Sequence, residues 1–246
     1  LGENGSGKSN LLEAIYFLAS GKSFRSSSSS QLIKWGEKIS SVRAKILDKQ
    51  GEYEVEVQLW REETGALKRR FLIDKVIKTR AKYWGKVKIV VFEPEDLRLI
   101  NGSPGRRRDF FDGIFANTEW RYASALSQYR KALKNRNELL DIIASGKAQK
   151  TELFYWDQSL IKNAEIIQSF RFAWVKSANL FFTNHQDKEI NKLSIKYQAS
   201  TINEEKIRQL YPQELAAGYS KCGPHLDDFS INFDDFKTEN KNLAFW

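Results

Sequence analysis

Gly2-Glu3-Asn4-Gly5-Ser6-Gly7-Lys8-Ser9 opens the chain and spells G-x-x-x-x-G-K-[ST], the pattern of a phosphate-binding loop. Glycines let successive backbone N–H groups turn inward around phosphate oxygens, where side chains would clash. Lys8 is expected to reach the β- and γ-phosphates of a nucleotide, and the Ser9 hydroxyl to sit on Mg²⁺. Asn10 to Leu18 are good helix formers with an apolar stripe at Leu11, Leu12, Ile15 and Leu18. A helix there aims its positive end at the nucleotide. The competing reading is a glycine-rich turn that merely opens a helix. Only Leu1 precedes a motif that belongs after a buried strand, and the chain has no Met, so it reads as a fragment beginning at the end of its first strand.

With 246 residues, the chain can bury a full core and form one or two domains. Hydrophobic content of 41% and charged content of 29% are those of a soluble globular protein. The formal net charge of +9 points to a polyanionic partner, the alternative being a basic protein kept soluble by its charge. A single cysteine, Cys222, excludes an internal disulfide framework and fits a reducing cytoplasm, the expected location. No apolar run approaches membrane-spanning length, so no membrane partner is expected. Cys222 and His225 are two possible metal ligands without a second pair at suitable spacing, which argues against a metal site. His225 either orients a carboxylate or the nucleotide or is an ordinary turn histidine; His185 is expected to face solvent.

Period-two alternation dominates the first third of the chain. Val42, Ala44 and Ile46, then Tyr53, Val55, Val57 and Leu59, flank Gly51 and predict a β-hairpin, with a third strand including Phe71 and Ile73. Lys86 to Phe92 passes from alternation to a continuous apolar run, the pattern of a strand entering a buried sheet. Ser26 to Ser30 reads as a loop. Between Pro104 and Pro212 there is no proline. Leu126, Leu133 and Leu140 recur every seven residues beside Tyr122, Tyr129 and Arg136. Trp156, Leu160, Ala164, Ile167, Phe170 or Arg171, Trp174, Ala178 and Phe181 continue at three-to-four spacing. Two helices joined near Ala144-Ser145-Gly146 are expected to pack antiparallel. Strands return where Leu193, Ile195 and Tyr197, and Phe229, Ile231 and Phe233, alternate. The fold class is therefore α/β, a nucleotide-binding lobe with mixed β-sheet and an inserted, mainly helical second lobe. Its expected boundaries are 1–105, 106–212 and 213–246, the last a truncated return to the first lobe.

Positive charge is concentrated. From Arg61 to Ile89 ten Lys or Arg stand against Glu62, Glu63 and Asp74, a net of +7. Lys68, Arg69, Arg70, Lys78, Arg80 and Lys82 are the candidate phosphate-binding cations, and the embedded Tyr83 and Trp84 are candidates to stack on bases. The alternative is a solvated strand face whose aromatics pack inward. Arg106, Arg107 and Arg108 form a second basic set.

The segment Phe92-Glu93-Pro94-Glu95-Asp96-Leu97-Arg98-Leu99-Ile100-Asn101-Gly102-Ser103-Pro104-Gly105-Arg106-Arg107-Arg108-Asp109-Phe110-Phe111-Asp112 resembles the RecF family, DNA replication and repair ATPases related to the SMC and ABC-type ATPases. Pro94, Glu95, Leu99, Ile100, Gly102, Ser103, Pro104, Arg107, Arg108, Phe110 and Asp112 fit the family pattern, and Phe111 departs from an aliphatic slot. Gly21-Lys22-Ser23-Phe24-Arg25, the helix ending in Arg136-Asn137-Glu138-Leu139-Leu140, and Cys222-Gly223-Pro224-His225-Leu226-Asp227-Asp228 look like the same family. Leu226 replaces the usual Arg.

The resemblance implies an ABC-type P-loop ATPase head. ATP would be held by Gly2, Glu3, Asn4, Gly5, Ser6, Gly7, Lys8, Ser9 and Asn10, with Mg²⁺ on Ser9 and Glu95 as a second candidate ligand. Glu95 and Asp96 have a helix-capping alternative beside Pro94. The resemblance further implies an ATP-dependent homodimer that clamps single- and double-stranded DNA without reading sequence. Gap repair, recombinase loading, the SOS response and recombination mediator partners follow from it as well. The signature segment and Walker-B acids are expected beyond Trp246, so no catalytic residue is named; the full-length protein is expected to be a weak DNA-dependent ATPase and the fragment inactive. The alternatives are a P-loop small-molecule kinase or phosphoryl transferase, and a scaffold binding DNA through charge alone.

Overall fold

The computed structural model describes residues 3, 5–25, 29–49, 51–92, 99 and 102–233. They group into two compact units, Leu1–Val91 with Asn117–Trp120, and Phe92–Ala116 with Arg121–Trp246.

In the first unit helix α1 (Lys8–Ser20) is followed by a four-stranded antiparallel meander, β1 (Ile39–Asp48), β2 (Gly51–Arg61), β3 (Leu67–Ile73) and β4 (Val76–Lys78), in that spatial order. The predicted hairpin is present. Val42 faces Val57, Ala44 faces Val55 and Ile46 faces Tyr53, and the Asp48–Gly51 pair closes the ladder with Gly51 at φ +117°. Val55, Val57 and Leu59 are fully buried with Phe71, Phe17, Leu18 and Ile33. The short helix α2 (Arg80–Tyr83) adds Tyr83, whose hydroxyl donates to the Leu18 carbonyl at 2.8 Å. That bond ties the end of α1 to the core.

One sequence expectation fails in this unit and two are refined. Leu11, Leu12 and Ile15 are exposed, and α1 buries only its last turn, Phe17 to Ser20, because that turn alone meets the sheet. Residues 86–92 form no strand: among the described residues no segment pairs with them, Val87 packs on the core, and Val90 and Phe92 are exposed. Of the expected serine loop, Ser29 and Ser30 begin a 3₁₀ turn (Ser29–Leu32), and residues 26–28 lie outside the described residues.

The second unit is built on α3 (Pro104–Thr118), α4 (Trp120–Ala144) and α5 (Phe154–Thr183), with α6 (Glu204–Ala217) and the antiparallel pair β5 (Leu193–Gln198) and β6 (Asp228–Phe233). The expected break between the two long helices is there, with Gly146 at φ +74°. Phe111, Phe115, Tyr122, Leu126, Tyr129, Leu160, Ala164, Ile167 and Phe229 form the core. Both alternating runs are strands and pair with each other, Ile195 opposite Ile231 and Tyr197 opposite Phe229. At the ambiguous position of α5, Arg171 is buried and Phe170 packs beside it, whereas Phe181 is exposed. Pro212 lies inside α6 rather than at its boundary. The carbonyl it leaves without a donor belongs to Arg208, on the exposed side, where water can satisfy it.

The described residues of 213–246, which are 213–233, group with the helical unit rather than with the first lobe. Glu214, Asp227 and Phe229 bury their side chains against α3, α4 and α5. The described residues of 92–105, which are 92, 99 and 102–105, also group there.

Replacing Tyr83 by Phe should leave the Leu18 carbonyl buried without its donor. The expected loss is about 1–2 kcal/mol, read as a lower urea midpoint at unchanged slope; an unchanged midpoint would show that the bond contributes nothing.

Candidate nucleotide-binding site

The phosphate loop turns on glycine. Gly5 and Gly7 both sit at φ +86°, a backbone region closed to most L-residues, and a Cβ at either would meet no atom within 4 Å. The glycines are required by conformation rather than by crowding. Ser6 N–H donates to Glu3 O at 3.2 Å, and Lys8 Nζ donates to the same carbonyl at 2.7 Å. Gly7 is the N-cap of α1 and brings no side chain to cap it, so the first N–H groups of the helix have no acceptor within the helix itself. A concavity of about 240 Å³ lies over them, lined by Gly5, Ser6, Gly7, Lys8, Ser9, Asn10 and Arg25. Arg25 donates to Asn10 Oδ1 at 2.9 Å and lies 3.5 Å from Glu13, which also accepts from Ser23.

These groups fit a polyphosphate. N–H donors without an acceptor in the helix, a helix N-terminus, Lys8 and Arg25 all favour anionic oxygens. Among the described residues the lining holds no carboxylate, so Ser9 is the Mg²⁺ ligand it offers. Gly2, Asn4 and Glu95 lie outside the described residues. Arg25 is the site residue that sequence spacing missed. It stands fifteen residues from Asn10, and only the turn after α1 brings it back.

The first basic set divides between the two faces of the sheet. Arg69 and Lys78 share the face of Phe71, and Lys68 and Arg70 stand on the other. Arg69 donates to Ser29 at 2.6 Å, Lys68 approaches Glu62 at 3.8 Å, and Lys82 is exposed in α2. Arg70 lies over Trp60 at 5.0 Å and Arg80 over Trp84 at 4.4 Å. Burial and the Arg69 charge hold Arg80 below the usual arginine value, a repulsion that an anion would relieve. Tyr83 packs inward, which removes it from the base-stacking candidates.

Arg107 is a framework residue, not a free phosphate contact. Its guanidinium forks onto Asp228 with two bonds of 2.8 Å and also donates to Gly102 O at 2.6 Å. Arg108 donates to Asp227 O at 2.7 Å. Arg106 is exposed on α3.

Two deeper arginines complete this framework. Arg171 donates to Asp112 Oδ1 at 2.6 Å, Asp227 Oδ2 at 2.7 Å, Pro224 O at 2.9 Å and Tyr122 Oη at 3.0 Å. Asp227 also accepts from Ser200 N–H, Gln168 and the Tyr197 hydroxyl. Burial opposes the Arg171 charge, but Tyr122, Asp112 and Asp227 outweigh it and its pKa rises. Arg136 donates to Asp157 at 2.6 Å and to Glu214 and Ser220 at 2.7 Å. His225 lies between Tyr129 Oη, 2.7 Å from Nδ1, and Ser220 O, 3.0 Å from Nε2. The carbonyl can only accept, so Nε2 carries the proton and Tyr129 donates to Nδ1. A Cβ at Gly223, φ +119°, would come 2.3 Å from that hydroxyl. His225 is thus a structural histidine, and burial holds its pKa down. Burial pushes the Cys222 thiol up to about 11, out of nucleophile range. Among the described residues no cluster of metal-ligating side chains occurs, and no helix is long and apolar enough to cross a membrane.

No family model matches the chain. Curated relatives do. It is 34% identical to the DNA replication and repair protein RecF of Leptospira interrogans serogroup Icterohaemorrhagiae serovar Lai, over 95% of this chain and 65% of that protein. To RecF of Oenococcus oeni it is 35% identical, over 94% of this chain and 67% of the relative. To RecF of Lactobacillus johnsonii it is 32% identical, over 96% and 67%. This chain belongs to the RecF family. A structure of the recombination mediator protein RecF-ATPrS in the RecFOR pathway matches it with TM-score 0.80 and 29% identity, over 94% of this chain and 66% of that one. The corresponding RecF-ATP structure matches with TM-score 0.75, 29% identity and coverage of 94% and 65%. The fold is accordingly α/β, an ABC-type P-loop ATPase head with an inserted, mainly helical lobe. The chain spans about 65% of the length of the curated relatives it matches.

Membership gives the long RecF-like motif a physical meaning in this chain. Arg107, Arg108, Asp112, Arg136, Asn137, His225, Asp227 and Asp228 are the members of the buried polar framework, Asn137 accepting from Ser220 N–H at 3.0 Å. Arg171, which spacing offered only as an alternative to Phe170, is their central partner, and Glu214 and Asp157 are partners that spacing did not single out. Replacing Arg171 by Met should strand two buried carboxylates and cost about 3–5 kcal/mol, seen as a collapse of the thermal transition or failure to fold; a shift within 1 kcal/mol would remove the framework role.

The His225 pKa is depressed below its ordinary 6.5, so the unfolded chain takes up the proton first as pH falls. The stability it contributes is whole above pH 6.5 and is lost as pH drops towards the folded value. Against a His225→Gln control, wild type should lose up to about 1.4 kcal/mol per pH unit as pH falls below 6.5 towards the folded value. Parallel melting curves across that range would contradict it.

Proposed function

We propose that this chain forms the ATP-binding part of a DNA-binding ATPase of DNA replication and recombinational repair. The observation that carries the reading is the glycine-built concavity at the uncapped start of α1, with Lys8 and Arg25 in its wall. Relatives named DNA replication and repair protein, and neighbours solved as RecF-ATP and RecF-ATPrS, support it. ATP bound with Mg²⁺ supplies the phosphoanhydride and its neutralising charge. Gly5 and Gly7 keep the loop open, the N–H groups at the start of α1 hold phosphate oxygens, Lys8 and Arg25 balance their charge, and Ser9 ligates Mg²⁺.

DNA, single- or double-stranded, is held by its backbone without sequence reading, through Lys68, Arg69, Arg70, Lys78, Arg80, Lys82 and Arg106. An ATP-dependent homodimer clamps it, in the cytoplasm, alongside recombination mediator proteins and within gap repair and the SOS response. Hydrolysis by the full-length protein is weak and DNA-dependent. A helical insert of the size of α3 to α5 is unusual for the small-molecule kinase reading, which needs an acceptor pocket and an arginine-rich lid.

Full-length protein should bind DNA at least about tenfold tighter with Mg-ATP than without nucleotide, an RT-scale gain of about 1.4 kcal/mol. Lys8→Met should abolish ATP binding and with it the gain. Equal DNA affinity in the two states would sink the clamp, and turnover stimulated by a small acceptor instead of DNA would favour a phosphoryl transferase.

A further inference from the structure

Trp35 is 99% exposed, the most exposed of the large apolar side chains described. It occupies a tight turn in which Glu37 N–H donates to Lys34 O at 3.0 Å and Gly36 takes φ +84°. The turn is tied to one end of the sheet. Lys38 O accepts from Arg61 N–H at 3.0 Å, one step beyond the Ile39–Trp60 pair. Ile39, Trp60, Lys68 and Arg70 lie on the face opposite Val57, Leu59 and Phe71. Trp35 stands three positions from Lys38, so its backbone stays within about 10 Å of that corner.

The corner is cationic. Lys34 and Lys38 flank Trp35, and Arg61, Lys68 and Arg70 are exposed on the strand ends. Glu37, Glu62 and Glu63 oppose them, Glu62 being 3.8 Å from Lys68. Arg70 already lies over the Trp60 ring at 5.0 Å, so this corner pairs a guanidinium with an aromatic once without any ligand. An uncovered indole among cations is the chemistry that takes an unpaired nucleobase by stacking and its phosphates by charge. In a duplex the base faces are occupied by their neighbours, so such an indole engages single strands alone. A lipid surface would demand a broad apolar face, which one Trp and one Ile among charges do not supply.

We propose that the Trp35 turn, with Lys34, Lys38 and the Trp60–Arg70 corner, is a stacking site for an unpaired base of single-stranded DNA. This rests on the reading of the chain as a DNA-binding protein and deepens it, assigning discrimination between strand forms to one side chain.

The test compares wild type, Trp35→Ala, Trp35→Phe and Lys34→Gln/Lys38→Gln in the full chain, binding a 20-nucleotide oligo-dT and a 20-base-pair duplex over a salt series. Trp35→Ala should weaken oligo-dT binding about tenfold or more, with duplex affinity changed less than twofold and the melting temperature unmoved. Trp35→Phe should retain most of the affinity. The double lysine variant should lower the salt slope on oligo-dT by about 1.4. Equal losses on both DNA forms, no loss on oligo-dT, or a Phe variant as weak as Ala overturns the stacking site while leaving DNA binding intact. A wild type that binds neither probe overturns the DNA reading and the stacking site together. Unaltered DNA binding with loss of a protein partner would also overturn it.

Discussion

The guanidinium of Arg171 holds the helical unit to a single arrangement. Its donors reach Asp112 on α3, Tyr122 on α4 and both Pro224 and Asp227 in the segment before β6. A charge this deeply buried is tolerated only when every donor finds an oxygen. Those oxygens come from two consecutive helices and from a segment about a hundred residues further along the chain. The fork is therefore satisfied in one relative placement of α3, α4, α5 and the Pro224 segment. Apolar contacts among Phe111, Phe115, Tyr122 and Phe229 supply the bulk of the burial but little direction.

The same logic extends outward. Arg136 repeats it one stage along α4, joining Asp157, Glu214 and Ser220, and Arg107 repeats it nearer the surface on Asp228. Between these anchors the Gly223–Asp228 segment has almost no freedom: Gly223 faces the Tyr129 hydroxyl, and His225 bridges Tyr129 and Ser220. A stretch rich in charge and glycine, easily taken for a ligand loop, is here a packed strut. The phosphate loop is its opposite. A Cβ at Gly5 or Gly7 would meet open space, and no side chain at the N-cap closes the start of α1.

Much of the architecture was legible in the chain. Alternation around Gly51 marked the hairpin, seven-residue spacing marked α4, and the two late alternating runs marked β5 and β6, because one-sided burial imprints its period on sequence. Less legible was which surfaces stay open. Leu11, Leu12 and Ile15 carry the period of a buried stripe yet are exposed, and Lys86 to Phe92 has the composition of a strand but finds no ladder partner among the described residues. Composition registers the tendency to be buried; only neighbours supply the surface that does it. The arginines show the same limit. Arg106, Arg107 and Arg108 are identical as letters, and the Asp228 carboxylate, over a hundred residues away, makes Arg107 part of the framework.

By itself the sequence determined the phosphate loop, the αβ order of elements and the excess of positive charge. These depend on local rules: glycine's access to positive φ, the periods of helix and strand, and net ionisation. Only the tertiary structure decided that Arg25 stands at the phosphate loop, that Tyr83 packs inward while Trp35 stands bare, and that the Arg107, Arg136 and His225 motifs are buried struts. Each of those is settled by a partner distant in the chain, and a hydrogen bond or a burial exists only once both partners are in place.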